Sequence, residues 1–390
     1  MGSPFWSLGF RPFFLGAGLW ACLAVALWLA ALAGAIAVPS AFAPAAWHAH
    51  EMIFGFAAAV LSGFALTAVP EWTGRAPVGG GALAALLGLW AAGRVAVAVS
   101  AVIGPGTAAL IDGAYLAVLC GVVGREIVIS GNRRNLVIAL AIGLLFVANA
   151  LTHLEGLGGV ASQALGLRLG LAVMAALITL VGGRITPAFT GNWLARGGGA
   201  RPPPFGWVDR IALGTGVLAL ALWVAAPDSL AAALVLLAAA AGHGVRLARW
   251  RGTSTGAEPL VWVLHLGYAW VVIGLALLGL AHWLPGFAAA GAAHGLGAGA
   301  IGTMTVAVMT RATLGHTGRA LTAGAGTAMI YLLVTAGAAA RIAAGLLGEI
   351  SAALTFTGGA LWIAGFGLFC LLYGPMQLGP RIDQDGAGNG

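Results

Sequence analysis

The chain has 390 residues, of which 61% are hydrophobic and only 7% charged, with a mean hydropathy of +0.99. That balance excludes a soluble domain of this size and defines a polytopic membrane protein. The formal charge of +7 comes from eighteen basic residues, all arginine, and their placement in the loops accounts for it without a nucleic acid partner.

Apolar stretches long enough to cross about 30 Å of hydrocarbon as helices recur along the whole chain. They cover 12–37, 50–70, 81–103, 107–124, 135–152, 161–183, 207–226, 229–248, 260–283, 291–310, 321–345 and 351–374. The expected fold is all-α, a single transmembrane domain over 1–390 with about twelve helices, and the short loops leave no room for a soluble domain. Residues 1–10 carry no basic n-region or cleavage site, so the first span is expected to be retained. Arginines follow span 4 (Arg125, Arg133, Arg134), surround the 6–7 connection (Arg184, Arg196, Arg201, Arg210), and follow span 8 (Arg246, Arg249, Arg251) and span 10 (Arg311, Arg319). The 1–2, 5–6, 7–8 and 9–10 connections hold almost none, so both termini, with Arg11 and Arg381, are expected on the cytoplasmic side. Cys22, Cys120 and Cys370 sit singly inside apolar spans and suggest neither disulfides nor a zinc site.

Polar residues inside spans are costly and therefore informative. Span 2 opens with WHAHEMIFGF, residues 47–56, which places His48, His50 and Glu51 together. On one helix, positions i and i+2 diverge by about 200°, so His48 and His50 are expected to serve different partners. Further along come Arg94 in span 3, Asn149 and His153 in span 5, Arg168 in span 6, His265 with Tyr268 and then His282 in span 9, His294 at the start of span 10, and Arg341 in span 11. The arginine topology puts His48, His50, His153, His282 and His294 at the outer face, from four different helices, and His243, His265 and His316 in the inner half. Convergence from facing helices is what a metal or haem site in a bundle requires. Taken singly, each histidine is as well read as an interfacial residue. Glu51 can complete a non-haem iron or copper site, fix the tautomer of a ligating imidazole, or be a plain interfacial carboxylate.

A weak repeat runs through the chain. His50 to Thr73-Gly74-Arg75 and His294 to Thr317-Gly318-Arg319 share an interval of 244 residues, which also relates Gly55 to Gly299. A middle copy falls near GGRITPAFTGNW, residues 182–193. This suggests three four-helix units, 12–124, 135–248 and 260–374, as in subunit I of the haem–copper oxidases, although chance similarity among Gly/Ala/Leu-rich helices also explains it. With the repeat, His50 and His294 become equivalent and are the leading axial ligands for haem b, His265 the next; Arg94 and Arg168 are candidate propionate partners. Met304 and Met309 read as core, and most of the fourteen tryptophans as interfacial belt.

Several stretches resemble the NnrS family of bacterial membrane proteins: GFRPFFLGAG, WHAHEMIFGF, LTAVPEWTGR, VLHLGYAW and IGTMTVAVMTRATLGHTGR, reaching from residue 9 to residue 319. Glu71 departs from the family pattern, where asparagine is expected. The resemblance implies a protein of the bacterial inner membrane connected with nitric oxide metabolism, nitrosative stress and denitrification, and containing haem and copper. The twelve-span likeness to haem–copper oxidases and nitric oxide reductases is architectural only; the adjacent His-His pair of their second metal is absent. The expected function is a haem protein that binds and detoxifies nitric oxide. Reduction to nitrous oxide would need an electron donor, and a second metal, copper or non-haem iron, held by some of His48, Glu51, His153 and His282. Two alternatives remain open: a secondary transporter for a small solute or metal, for which Pro187 is the only proline near the midplane of a span, and a non-catalytic haem sensor.

Overall fold

The computed structural model describes residues 3–284, 287, 289–347 and 350–382, and the described residues are helical with no strand. Twelve helical segments are long and apolar enough to cross a membrane. They are α1 (Phe10–Leu32), α2 (Pro44–Thr73), α3 (Gly80–Ala98), α4 (Pro105–Ile129), α5 (Arg133–Leu157), α6 (Gln163–Arg196), α7 (Trp207–Ala225), α8 (Leu230–Ala248), α9 (Pro259–Trp283), α10 (Ala290–His316), α11 (Ala325–Leu346) and α12 (Ser351–Leu378). These are the twelve spans the hydropathy predicts. Proline opens α2, α4 and α9, where its missing N–H costs nothing. Ser229 caps α8 by accepting from Ala232 N at 3.1 Å, and the Glu258 carboxylate caps α9 by accepting from Leu260 N at 3.0 Å.

The chain forms two compact units. Unit 1 comprises Met1–Gly170, Met309–Leu321 and Phe366–Gly390; unit 2 comprises Leu171–Val308 and Thr322–Gly365. Within hydrocarbon no hydrophobic force drives helices together, so close packing depends on small residues. In unit 1, α1 lies against α2 because Gly63 admits the ring of Phe14, and the Thr67 hydroxyl accepts from Phe10 N at 2.9 Å. The buried Arg11 guanidinium donates to the carbonyls of Gln377 (2.9 Å) and Gly379 (2.5 Å), so that a cation closes the negative end of the α12 dipole. In unit 2, α9 and α10 meet at Gly274 and Gly295, and at Gly267 against Met304.

Three spans carry a π-helical segment: Glu51–Ala57 in α2, Ile178–Gly182 in α6 and Gly295–Ile301 in α10. The segments of α2 and α10 stand 244 residues apart, the interval found in the sequence. So do the glycines that end the two helices in the left-handed region, Gly74 (φ 67°) and Gly318 (φ 77°). A π turn widens the helix by one residue and recurs at functional sites.

A side chain at Gly274 would place its Cβ 2.8 Å from Leu296 N and 2.9 Å from the Gly295 carbonyl carbon, backbone that cannot yield. Gly274→Leu is expected to cost about 1–3 kcal/mol and to lower the thermal unfolding midpoint in detergent. Gly88→Leu, with nothing within 4 Å of the new Cβ, should leave that midpoint unchanged.

Candidate metal centre

One end of unit 1, where α2 and α4 begin and α3 and α5 end, collects the polar side chains of four spans. The connections from α2 to α3 and from α4 to α5, with Arg75, Arg125, Arg133 and Arg134, lie at the opposite end of these helices. Pro44 starts α2 early enough that both His48 and His50 are helical, and the expected angular split follows. The His48 ring stacks on Trp28 at 4.2 Å, while His50 turns to the other side. Glu51 opens the π segment, and its Oε1 lies 3.0 Å from His50 Nδ1. Its other oxygen accepts from Arg94 Nη1 at 2.7 Å, and Arg94 Nη2 donates to Asp112 Oδ1.

Glycine makes this approach possible. A Cβ at Gly55 would stand 2.6 Å from Trp20 Nε1, 2.9 Å from Glu51 Oε2 and 3.0 Å from Arg94 Nη1. One at Gly93 would stand 2.9 Å from Asp112 Oδ1. Within the π segment the Gly55 carbonyl, which accepts from Ala58 N–H, accepts also from Trp90 Nε1 at 3.0 Å and ties α3 to α2.

The second oxygen of Asp112 is the focus. Oδ2 lies 3.1 Å from His50 Nε2, 3.1 Å from His153 Nε2 and 2.7 Å from Asn149 Nδ2. Asn149 Nδ2 is also 3.2 Å from His50 Nε2. His50, Asp112 and His153 each offer a ligand atom, all three within 4.8 Å of one another, and all three residues are buried. Ligands held about 2.0–2.1 Å from a metal ion stand roughly 3.0–3.4 Å apart along the edges of its coordination shell, so the 3.1 Å spacings match such an edge. Phe42 and Phe54 close over His50 at ring distances of 5.2 and 5.0 Å, and Phe42 over His153 at 5.1 Å. One arginine against two carboxylates leaves one negative charge in this apolar setting when both imidazoles are neutral, and a cation offsets it.

Of the residues singled out in the sequence, His50, Glu51, Arg94, Asn149 and His153 are brought together here. His48 stands apart on Trp28, and Arg168 is half-buried on α6 in the same unit. His282 is exposed beside Trp283. His265 and His294 belong to unit 2: His265 Nε2 meets the Thr190 hydroxyl at 2.8 Å, and His294 Nδ1 meets the Ala290 carbonyl at 2.5 Å. Asp112 was not foreseen. Its signal was a lone carboxylate within GTAALIDGAYLAV, the rule that marked Arg94 and Asn149.

Unit 2 has a polar cluster of its own. Buried Arg246 donates to Asp209 (2.8 Å), the Tyr268 hydroxyl (2.6 Å) and the carbonyl of Thr179 in the π segment of α6 (2.9 Å), and His243 Nδ1 meets Tyr268 at 2.7 Å. Asp209 also receives Arg249 at 3.3 Å, so no negative charge is left over.

By class, then, this is a polytopic helical membrane protein with a buried two-imidazole, one-carboxylate cluster, the donor set of a metalloprotein. The chain matches the family model described as NnrS protein over residues 4–381, and it belongs to that family. Membership fits a membrane protein connected with nitric oxide. No curated protein matches the chain at a significant level.

Arg94 bridges two buried carboxylates, so its removal leaves both uncompensated. Arg94→Leu is expected to destabilise the protein by ~3–5 kcal/mol, and Arg94→Leu with Glu51→Gln should recover part of that loss. Thermal unfolding of the purified protein in detergent checks both; equal stability of Arg94→Leu and the parent would reject the bridge.

Proposed function

We propose that this protein is a nitric oxide-handling metalloprotein of the bacterial inner membrane, with its centre at His50, Asp112 and His153. One observation carries the reading: two imidazole nitrogens and a carboxylate oxygen from three spans converge within 4.8 Å in a buried, net-negative site. The family supports the substrate, and so does the location. Nitric oxide is a small apolar gas that enters the bilayer, so it reaches a centre inside a span without a water channel. The arginine distribution puts that centre toward the outer face, with both termini in the cytoplasm.

The donor set fits copper or non-haem iron, since imidazole and carboxylate suit both. A redox metal there would supply an open coordination position for nitric oxide. The protein's own part is positional. Glu51 accepts a hydrogen bond from Nδ1–H of His50 and so directs the Nε2 lone pair at the ligand cluster. Arg94 holds Glu51 and Asp112 in fixed orientation, and Phe42 and Phe54 exclude water. Disposal of nitric oxide as nitrous oxide consumes two molecules, two electrons and two protons, and therefore requires an electron donor.

Haem b has a different fit. Both ring nitrogens of His50 face protein groups, and Phe42, Phe54 and His153 surround the ring at 5.0–5.3 Å, a setting sized for an ion. In His265 one nitrogen meets Thr190 and the other packs on Gly252. His294 is the better haem candidate, because donation from Nδ1 to the Ala290 carbonyl puts the lone pair on Nε2.

Metal analysis and optical spectra of the full-length protein test both ideas. His50→Ala, Asp112→Ala and His153→Ala are each expected to lower bound non-haem metal at least about 10-fold, while His48→Ala and His282→Ala retain it. Unchanged metal content in the three ligand variants would reject the centre. A Soret band lost only in His294→Ala would place haem in unit 2, and gas analysis for nitrous oxide from reduced protein separates turnover from simple binding.

A further inference from the structure

We propose that Asn149 is a fourth protein ligand of the unit 1 centre, its Oδ1 completing a set with His50 Nε2, His153 Nε2 and Asp112 Oδ2. The inference rests on the metal reading above and adds the ligand that reading lacks.

Asn149 sits one helical turn before His153 on α5, so both side chains leave the same face of the helix toward Asp112. It is 1% exposed. Its Nδ2 is 2.7 Å from Asp112 Oδ2 and 3.2 Å from His50 Nε2, so one edge of the amide already lies at the spacing of neighbouring ligands. Its Oδ1 is buried with no hydrogen-bond partner among the described residues. A carbonyl oxygen so placed is costly, and it gives up no hydrogen bond when the amide turns it toward a cation.

The imidazole lone pair decides which end of the amide faces the ion. With Nδ1–H donated to Glu51, His50 Nε2 has a single lone pair, which the Asn149 N–H faces at 3.2 Å. A metal ion and that N–H cannot share it. Metal binding therefore requires the amide to give way, and the least motion that does so is a half-turn about the Cβ–Cγ bond. That turn carries Nδ2 away and brings Oδ1, with two lone pairs, to the same place. No other atom of the side chain moves far, so the packing around Asn149 is kept.

The completed set of two imidazole nitrogens, one carboxylate oxygen and one amide oxygen contains no sulfur. Such donors favour divalent iron, and its spectroscopic stand-in cobalt, over cuprous copper. The amide oxygen is neutral, so it adds a donor without altering the charge balance set by Arg94, Glu51 and Asp112.

Cobalt(II) titration of the full-length protein in detergent, followed by its visible d–d bands, tests the assignment. The parent should bind one cobalt per chain. Asn149→Ala should weaken binding about 10- to 100-fold and shift the bands as water takes the vacated position. Asn149→Asp keeps an oxygen there and should bind at least as tightly as the parent, again with altered bands. If Asn149→Ala binds cobalt as well as the parent or better, with the same bands, the amide is only a competitor for His50 and the inference is wrong. Should Asn149→Ala fail to fold, unaltered bands in Asn149→Asp overturn the inference equally. A parent that takes no cobalt or ferrous iron removes the metal reading itself, and this ligand with it.

Discussion

The polar end of unit 1 depends on one guanidinium. Arg94 is 2% exposed within a span, and the carboxylates of Glu51 and Asp112 on its two sides make such a charge tolerable in hydrocarbon. Because Arg94 is planar and its two terminal nitrogens are fixed relative to each other, it sets the separation and orientation of both acids at once. Each acid then turns its second oxygen toward imidazole: Glu51 accepts from His50 Nδ1, and Asp112 Oδ2 lies 3.1 Å from the Nε2 atoms of both His50 and His153. The histidines are thus oriented from the arginine outward, and the ligand cluster is a consequence of the ion pairs.

Backbone irregularity serves the same arrangement. An α-helical continuation of α2 would carry Glu51, Gly55 and their carbonyls past α3 in a different register. The π segment instead opens at Glu51, the residue that must face Arg94, and its Gly55 carbonyl accepts from Trp90 as well as from Ala58 N–H. In unit 2 the π segment of α6 offers the Thr179 carbonyl to Arg246, and that of α10 brings Gly299 against the ring of Trp270. Each widened turn is therefore held by a large side chain from a neighbouring helix. The equal spacing of the π segments in α2 and α10 extends the sequence repeat to the backbone, yet the surroundings differ: only the α2 copy is flanked by carboxylates.

The spans were legible because bilayer thickness imposes a length and a composition that hydropathy reads directly. His50, Glu51, Arg94, Asn149 and His153 were legible for the complementary reason, that polar residues in apolar runs need partners. What the sequence could not provide was which partners. Grouping histidines by depth placed His282 and His294 beside His50 and His153, but depth is one coordinate of three, and the chain assigns His294 to unit 2 and leaves His282 exposed. The separation of His48 from His50 was readable from helix geometry alone, and the stacking of His48 on Trp28 follows it. Asp112 is the instructive omission: a single carboxylate in an apolar run has the same mark as Arg94, but only the fold shows that it joins the imidazoles. The π turns leave no trace in periodicity, because one inserted residue in a uniformly apolar helix changes no visible pattern.

The two units offer a comparison that bears on function. Each buries an arginine in a span and pairs it with an aspartate, and each has histidine and tyrosine nearby. In unit 2 the sum is cationic: Arg246 and Arg249 face the single carboxylate Asp209, and the spare N–H donors go to backbone carbonyls and Tyr268. The cluster reads as a clamp joining α6, α7, α8 and α9. In unit 1 the sum is anionic when both imidazoles are neutral: Glu51 and Asp112 face the single Arg94, and Asp112 Oδ2 lies beside two imidazole nitrogens. Burial penalises that excess unless a cation is present. The difference lies in which residue is doubled, and it favours a cation in unit 1 over one in the Arg246 cluster.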